Sequence, residues 1–339
     1  MINSKIGDSF RFPAADGIRG LAILIVLVAH CVGMFFPLIG DKIPGSAKIG
    51  VWLFFALSSF LLTNVFVKKG FSIKNISSYI LGRIIRIIPL FILTLIVYCS
   101  FGYFSANYAL AIFKLNTPWG HLWTIPVEFK FYALLPFIAY LLIKVQSNFG
   151  SIAMIVAAVM IISIQQWFYP YFEVKSSSTD MTGYISAFIP GMCCALLLSS
   201  HVFKKNSVSD FICYVILIGI GLSIPQIRKI FFGIPIDNYL LNKHAHFAVA
   251  WSFFIFFALS SNGKINKIFC SQALRLLGRW SFSIYLFHWI VYTEIMKHHM
   301  ESYVWAFLAF SLAIIIGGLV CSVIERPLEN GRHFLMRNA

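Results

Sequence analysis

Two ionisable residues in the first long apolar segment, Arg19 and His30, have the types and the spacing from which chemistry is expected. They are eleven residues apart, or almost three helical turns, so both side chains leave one helix face, roughly 16 Å apart along its axis. The run from Leu21 to Leu38 is long enough to span a membrane, which places His30 near mid-bilayer. Ionisable groups at that depth usually face protein or a water-filled cavity. His30 alone is equally consistent with helix packing, but the face shared with Arg19 favours a reactive imidazole beneath a cationic opening.

A pair of arginines, Arg83 and Arg86, precedes Pro89 at the start of the third apolar segment. Residues three apart lie on one surface of a helix, and two neighbouring guanidinium groups suit the recognition of phosphate. An ordinary basic anchor at the membrane surface is the alternative, and these residues alone favour neither interpretation.

An acidic residue, Glu128, lies at the start of the fourth apolar segment, between Trp123 and Tyr132. A carboxylate in an apolar segment needs a partner or water, which favours a functional site. The aromatic neighbours are equally typical of an interfacial belt or a short re-entrant piece, with Lys130 beside it. The segment is expected to begin at the outer face, which predicts that Glu128 lies far from the arginine pair.

A polar stripe runs along the ninth apolar segment. Ser281, Tyr285 and His288 are spaced i, i+4 and i+7, so they share one helix face. Such a stripe more often lines a cavity than faces lipid, although a hydrogen-bond network between packed helices is the alternative. After the last segment, Glu325 runs against the basic bias of its surroundings, and we expect it to pair with a cytoplasmic arginine in a structural role.

The elements that must position these residues are membrane-spanning helices. The chain is 59% hydrophobic and 12% charged, with a mean hydropathy of +0.83, whereas soluble domains are about a quarter charged. Recurring apolar runs predict an all-α polytopic membrane protein, a single domain over residues 1–339 with about ten transmembrane helices enclosing a mid-membrane cavity. The ten spans are predicted near residues 20–38, 49–67, 87–106, 126–144, 151–170, 184–202, 209–225, 244–261, 281–297 and 303–323.

The basic residues indicate orientation rather than binding to nucleic acid. The formal charge of +15 is scattered through short loops, as expected of topology signals and of contacts with anionic membrane lipids. Eighteen lysines and arginines fall on the side of the N-terminus and nine on the other, which predicts N-in and C-in. The seven cysteines have no zinc or haem spacing, and no His-Glu-x-x-His pattern occurs, so free thiols and no metal are expected. The first apolar run is expected to be an uncleaved span.

Taken in order, these motifs resemble the acyltransferase-3 family, whose integral-membrane members O-acetylate cell-envelope polysaccharides and related acceptors. The matching stretches are Asp16-Gly-Ile-Arg19-Gly with ten residues before His30, Gly50-Val-Trp-Leu-Phe-Phe-Ala-Leu-Ser58-Ser-Phe-Leu-Leu, Arg83-x-x-Arg86-x-x-Pro89, Trp123-Thr-Ile-x-Val-Glu128-x-x-Phe-Tyr132, Leu277-Gly-x-x-Ser281 through Tyr285-Leu-x-His288, and Glu325-x-Pro327. Two positions depart from the family pattern, since Ser59 replaces a more usual glycine and Phe282 a more usual tyrosine.

The resemblance implies a role for each matching residue. His30 falls on the family's histidine, thought to act as general base on the acceptor hydroxyl, a task that suits an imidazole. Arg19 is implied to orient the acyl donor or to stabilise developing charge, and Glu128 to act beside them. The remaining roles are a coenzyme A phosphate clamp at Arg83 and Arg86, donor-side cavity lining at Tyr285 and His288, and acceptor binding at Trp123 and Tyr132.

The function implied is transfer of an acetyl group from cytoplasmic acetyl-CoA, used as co-substrate, to a hydroxyl of an envelope polysaccharide or its lipid-linked precursor. The expected location is the bacterial inner membrane. Two alternatives stay open. A same-family acyltransferase that acts on a small molecule or a lipid differs only in its acceptor. A secondary transporter would also bury charged groups near the midplane, but it more often shows corresponding halves with broken helices.

Overall fold

The computed structural model describes residues 12–200 and 208–337, with side chains described as far as Gly331. Lys5, Arg11, Lys204 and Lys205, which contributed to the predicted orientation, lie outside the described residues, as do the side chains of Arg332 and Arg337. Within the described ranges every regular element is helical.

The helices follow one another along the chain with short connections. They are α1 (Pro13–Phe35), α2 (Pro37–Gly40), α3 (Ser46–Lys69), α4 (Ile73–Ser100), α5 (Ala106–Phe113), α6 (Thr124–Phe168), α7 (Ile185–Ser200), α8 (Val208–Leu222), α9 (Pro225–Phe232), α10 (His244–Ser260), α11 (Lys264–Phe269), α12 (Gln272–Met296), α13 (Tyr303–Val320) and α14 (Arg326–Arg337). Short 3-10 helices cover Gly120–Trp123, Thr182–Tyr184 and Tyr239–Asn242, and a π-helical turn covers Cys321–Glu325.

The predicted all-helical membrane fold is confirmed, but the count of ten spans is not. Six helical segments in the described residues are long and apolar enough to cross a membrane, or seven if α8 and α9, bent by 91° at their junction, form one span. The two predicted spans 126–144 and 151–170 both lie in α6, which is interrupted at Gly150, where φ is +85°. Helix α10 has only 17 residues, and α12, which carries the polar stripe, is not among the six.

Helix α1 lies at the centre of the fold and packs most extensively against α12 and α3. It begins at Pro13, whose ring presets the helical φ at a position that needs no hydrogen-bond donor. The two backbones of α1 and α12 touch, because a Cβ on Gly278 would lie 1.7 Å from the carbonyl oxygen of Asp16. Small residues permit such close approach between membrane helices.

The start of α6 lies inside the bundle rather than at its end. The 3-10 helix Gly120–Trp123 leads directly into α6, and Thr124 Oγ1 donates a hydrogen bond at 3.0 Å to the hydroxyl of Tyr285, halfway along α12. One helical turn beyond Glu128, the Tyr132 carbonyl accepts a 2.8 Å hydrogen bond from the Tyr79 hydroxyl on α4. The chain therefore enters the bundle before α6 begins, and the first turns of α6 face the interior.

The predicted free thiols are confirmed, because all seven cysteines are unpaired and none is fully exposed.

Candidate functional site

A central pocket of about 240 Å³ collects polar residues from five helices. Arginines and a carboxylate face one another across it, and the neighbouring wall from α3 is largely apolar. The polar lining residues are Arg19 of α1, Ser58 of α3, Arg83 and Arg86 of α4, Thr124, Glu128 and Tyr132 of α6, and Ser281 and Tyr285 of α12. The structure thus brings together six of the nine predicted site residues, the exceptions being His30, Trp123 and His288.

The sequence-based placement of Glu128 is wrong. It was expected at the outer face, far from the arginine pair, but Glu128 lies in the same pocket as Arg83 and Arg86. The reason is the preceding 3-10 helix, which carries the chain into the bundle, so that α6 begins at the depth of Tyr285 rather than at a membrane surface. The guanidinium groups therefore supply opposite charge near this carboxylate, which also has a side-chain hydrogen bond to Tyr132.

A second and more polar pocket, of about 450 Å³, adjoins the first. Arg19 and Arg86 line both pockets and so stand at their junction. The second pocket exposes more cations than carboxylates, which favours an anionic ligand. Its charged lining consists of Arg19, Lys68, Lys69, Arg86, Arg279 and Arg326 with Asp16, Glu325 and Glu329.

Two carboxylates, those of Glu325 and Glu329, form ion pairs with Arg86. The Glu325 carboxylate lies 3.9 Å from Arg86 and accepts a 2.6 Å hydrogen bond from Ser283 Oγ, and Glu329 lies 3.8 Å from Arg86. The expected pairing of Glu325 with an arginine is confirmed. Glu325 ends the π-helical turn Cys321–Glu325, an irregularity that is frequent at functional sites.

A histidine pair lies farther along α1 and α12. His30 Nδ1 is 2.9 Å from His288 Nε2, and the two rings are stacked with their centroids 5.2 Å apart. His288 Nδ1 lies 2.7 Å from the Tyr285 carbonyl oxygen and 3.2 Å from that of Ile284. Because carbonyls only accept, the proton of a neutral His288 belongs on Nδ1, and its Nε2 must accept from His30 Nδ1. A neutral His30 therefore keeps a lone pair on Nε2, as a general base requires.

A third histidine, His121, joins this pair and was missed in the sequence. Its ring centroid lies 4.9 Å from that of His288, and it stacks on Trp289 at 5.5 Å. His121 Nε2 is 3.2 Å from the Leu286 carbonyl, whereas its buried Nδ1 has no hydrogen-bond partner. The sequence offered one signal, the position of His121 two residues before the motif that begins at Trp123. A short 3-10 helix has no hydrophobic periodicity from which the direction of this side chain could be predicted.

The expectation of one cavity from Arg19 to His30 is not confirmed. Arg19 lines the two pockets, whereas His30 and His288 line neither of them. Tyr285 stands between the two groups, because it lines the central pocket while its hydroxyl donates to the His121 carbonyl at 2.5 Å and accepts from Thr124. His30 itself is partly exposed.

The stretch that carries these motifs matches a known protein family. A family model described as an acyltransferase domain matches residues 12–325, which is nearly the whole chain. The chain belongs to the acyltransferase-3 family.

Two relatives of this acyltransferase-3 protein come from Staphylococcus aureus. "Putative O-acetyltransferase SACOL0978" of strain COL is 24% identical over 354 residues, covering 94% of this chain and 57% of the relative. O-acetyltransferase OatA of strain NCTC 8325 / PS 47 is 19% identical over 351 residues, covering 94% and 56%. The acyltransferase-3 chain thus spans little more than half the length of these relatives. No solved structure matches it.

The two departures from the acyltransferase-3 pattern have structural explanations of different kinds. The single hydroxyl proton of Ser59 has two acceptors within reach, the carbonyls of Ala56 at 2.9 Å and Phe188 at 2.7 Å, and the shorter contact ties α3 to α7. Gly191 makes room for it, because a Cβ there would lie 2.3 Å from Ser59 Oγ. Phe282 lines the central pocket, where its ring makes the wall apolar at that point.

Proposed function

We propose that this membrane O-acetyltransferase moves an acetyl group from acetyl-CoA to a hydroxyl of a cell-envelope glycan or its lipid-linked precursor, in the bacterial inner membrane. The observation that carries the proposal is the arrangement of an arginine-lined donor pocket and a proton-accepting His30 on opposite sides of Tyr285. The arginine-lined pocket supplies positive charge for the donor, and His30 supplies a base for the acceptor. Helices α1 and α12 contribute to both parts of the site.

The arginine-lined pockets suit the donor because coenzyme A carries a diphosphate and a 3′-phosphate. Guanidinium groups recognise phosphate through paired hydrogen bonds, and the second pocket has the excess of cations that such a polyanion needs. The excess of basic residues counted on the N-terminal side supports a cytoplasmic position for this opening, on the side of the membrane where acetyl-CoA is made. The pantetheine arm then extends through the central pocket toward Tyr285.

Arg19 acts on the donor rather than on the reacting carbonyl. Eleven residues of helix separate it from His30 by roughly 16 Å along the axis, farther than an arginine side chain reaches. Since Arg19 lines both pockets, its place is beside the phosphates or the start of the pantetheine arm. Glu128 interacts electrostatically with Arg19, Arg83 and Arg86 and holds them in position, which makes it a positioning residue.

The acceptor reaches His30 from the other side, where Trp119 and Trp289 are partly exposed. His30 Nε2 takes the proton of the acceptor hydroxyl as its oxygen attacks the thioester carbonyl carbon. The carbon–sulfur bond breaks, the new ester forms, and the proton passes from His30 to the departing thiolate, which leaves as free coenzyme A. His288 Nε2 accepts from His30 Nδ1 throughout and stabilises the imidazolium. The thioester reaches His30 only when Tyr285 swings away from Thr124 and His121.

The test is transfer of labelled acetyl groups by the purified full chain in nanodiscs, with glycan and lipid-linked sugar acceptors. Substitution of a general base typically costs about 10²- to 10⁴-fold in rate, so His30→Ala should abolish transfer while leaving the protein folded and inserted. His298→Ala, at an exposed histidine outside the site, is the matched control. Full activity of His30→Ala would refute the mechanism. Unaltered glycan acetylation in cells that lack the protein, together with altered solute uptake, would favour transport instead.

A further inference from the structure

A buried lysine, Lys48, lies at the end of α3 opposite the second pocket, and its charge has no counter-ion among the described residues there. Lys48 lies on the first turn of α3, twenty residues before Lys68 of the second pocket, and so about 30 Å from it along the helix axis. Its side chain is only 7% exposed. None of the residues implicated in acetyl transfer lies beside it except Trp123, whose ring centroid is 5.1 Å from Lys48 Nζ.

The partners of Lys48 are all uncharged. Its ammonium donates to Ser176 Oγ at 2.7 Å and to the Leu241 carbonyl at 3.3 Å, and it lies 5.9 Å from the Trp52 ring centroid. No carboxylate among residues 12–200 and 208–331 comes within ion-pair distance of it. A buried charge without a counter-ion is costly, and proteins normally pair it.

Several buried polar groups around Lys48 also lack hydrogen-bond partners. Trp52 and His244 are fully buried, and their ring centroids lie 5.6 Å apart. Neither the indole nitrogen of Trp52 nor either ring nitrogen of His244 makes a hydrogen bond of standard geometry, although the Gly183 backbone is close to His244. Ser46 Oγ, two residues before Lys48, is likewise buried without a partner. Buried polar atoms are nearly always hydrogen-bonded, so such a concentration is unusual.

The helix ends add to the positive character of this cluster. Helices α3, α7 and α10 all begin here, at Ser46, Ile185 and His244, and none has an acidic residue in its first turn. Helix N-termini carry partial positive charge and attract anions. The ring of Tyr184, directly before α7, lies 5.1 Å from that of His244 and 5.9 Å from that of Trp52, which shows that the three ends converge.

We propose that Lys48, Trp52 and His244 form an oxyanion-binding site, which takes a carboxylate or a phosphate. An ammonium, an indole N–H and an imidazole N–H are donors, so the ligand that satisfies them together is a negatively charged group with several acceptor oxygens. Ser176 is exposed, and it and Leu241, which lies in the 3-10 helix Tyr239–Asn242, both contact Lys48. The ligand displaces these two neutral acceptors. The site does not depend on the proposed acetyl transfer.

The experiment measures the thermal unfolding midpoint of the full chain in phosphatidylcholine nanodiscs against inorganic phosphate, glucuronate and, as an uncharged control, glucose. A ligand that binds only the folded state raises the midpoint with its concentration, which gives a dissociation constant. Lys48→Met should weaken phosphate or glucuronate binding at least tenfold, whereas Lys42→Met, at an exposed lysine six residues earlier, should leave it unchanged. Wild type, Lys48→Met and Lys42→Met all keep the arginine-lined pockets, so anion binding there is common to the three proteins. A difference in dissociation constant between them therefore reports on Lys48.

Two further arms keep the test decisive. Trp52→Phe keeps the ring and removes one donor, so it should weaken binding about threefold to tenfold, and it serves if Lys48→Met fails to insert. Stabilisation by phosphatidylglycerol nanodiscs that disappears in the Lys48 variant assigns the site to a lipid phosphate, and stabilisation by dissolved anions alone assigns it to a soluble ligand. Equal affinities in wild type and both variants, or no stabilisation by any anion, would overturn the proposal and leave these donors to buried water.

Discussion

The hydrogen bond between His30 and His288 leads to a quantitative prediction for His288→Phe. In the proposed transition state His30 becomes an imidazolium, and its Nδ1–H donates to His288 Nε2 across 2.9 Å. A hydrogen bond to a charged group contributes about 1.5–3 kcal/mol, and about 1.36 kcal/mol corresponds to tenfold in rate. The substitution should therefore lower kcat by roughly 10- to 150-fold. It should leave KM for acetyl-CoA unchanged, because His288 lines neither donor pocket.

The assay is steady-state transfer of labelled acetyl groups, with kcat and KM for acetyl-CoA measured separately. His288→Gln should recover part of the loss, because its amide oxygen can accept from His30 Nδ1 near the position of the imidazole Nε2. His298→Gln, at an exposed histidine, is the matched control. A raised KM with an unchanged kcat would refute this reasoning and restore the sequence-based role of His288 in donor binding. Full activity of His288→Phe would refute both roles of His288, in catalysis and in donor binding.

Two other substitutions test the donor pocket and the central helix pair. Arg86→Met should raise KM for acetyl-CoA roughly tenfold. This is the lower end of the range for a charged hydrogen bond, because Arg86 already forms an ion pair with Glu325. The same kinetic assay checks this, and an unchanged KM would contradict the assignment of Arg86 to donor binding. Gly278→Ala should lower the thermal unfolding midpoint, since its Cβ would lie 1.7 Å from a carbonyl oxygen and overpacking costs about 1–3 kcal/mol. Gly219→Ala, in a helix with open space around the new Cβ, should raise the midpoint slightly, and equal midpoints for the two variants would argue against the tight α1–α12 contact.

Helical periodicity predicted some of the pocket-lining residues that lie within single uninterrupted helices. Ser281 and Tyr285 line the central pocket as their common stripe indicated, and Arg19 lines it from α1. Helix geometry fixes the relative directions of side chains along one helix without knowledge of the rest of the fold. The pairing of Glu325 with an arginine was predicted on charge alone, because a carboxylate among basic residues has few other partners.

The sequence could not predict the parts of the site that depend on how deep in the membrane a segment begins. Hydropathy records how apolar a stretch is but not whether its first residue lies at a membrane surface, so Glu128 was placed at the wrong level. The same limitation affects Trp123, which is buried beneath Lys48, and Tyr132, which faces the arginine-lined pocket. The count of spans differs because α6 runs through two predicted spans with one break at Gly150, and because α8, α10 and α12 are not among the six segments long and apolar enough to cross a membrane.

Tyr285 has a consequence for the fate of the donor between turnovers. A basic imidazole in contact with a bound thioester, with no acceptor present, would activate water instead. The thioester would then be hydrolysed and the acetyl group lost as free acetate. In the proposed mechanism, the hydrogen bonds that join the Tyr285 hydroxyl to His121 and Thr124 keep the thioester apart from that base in the resting protein. The position of one phenol ring would then decide whether acetyl groups are transferred or lost by hydrolysis.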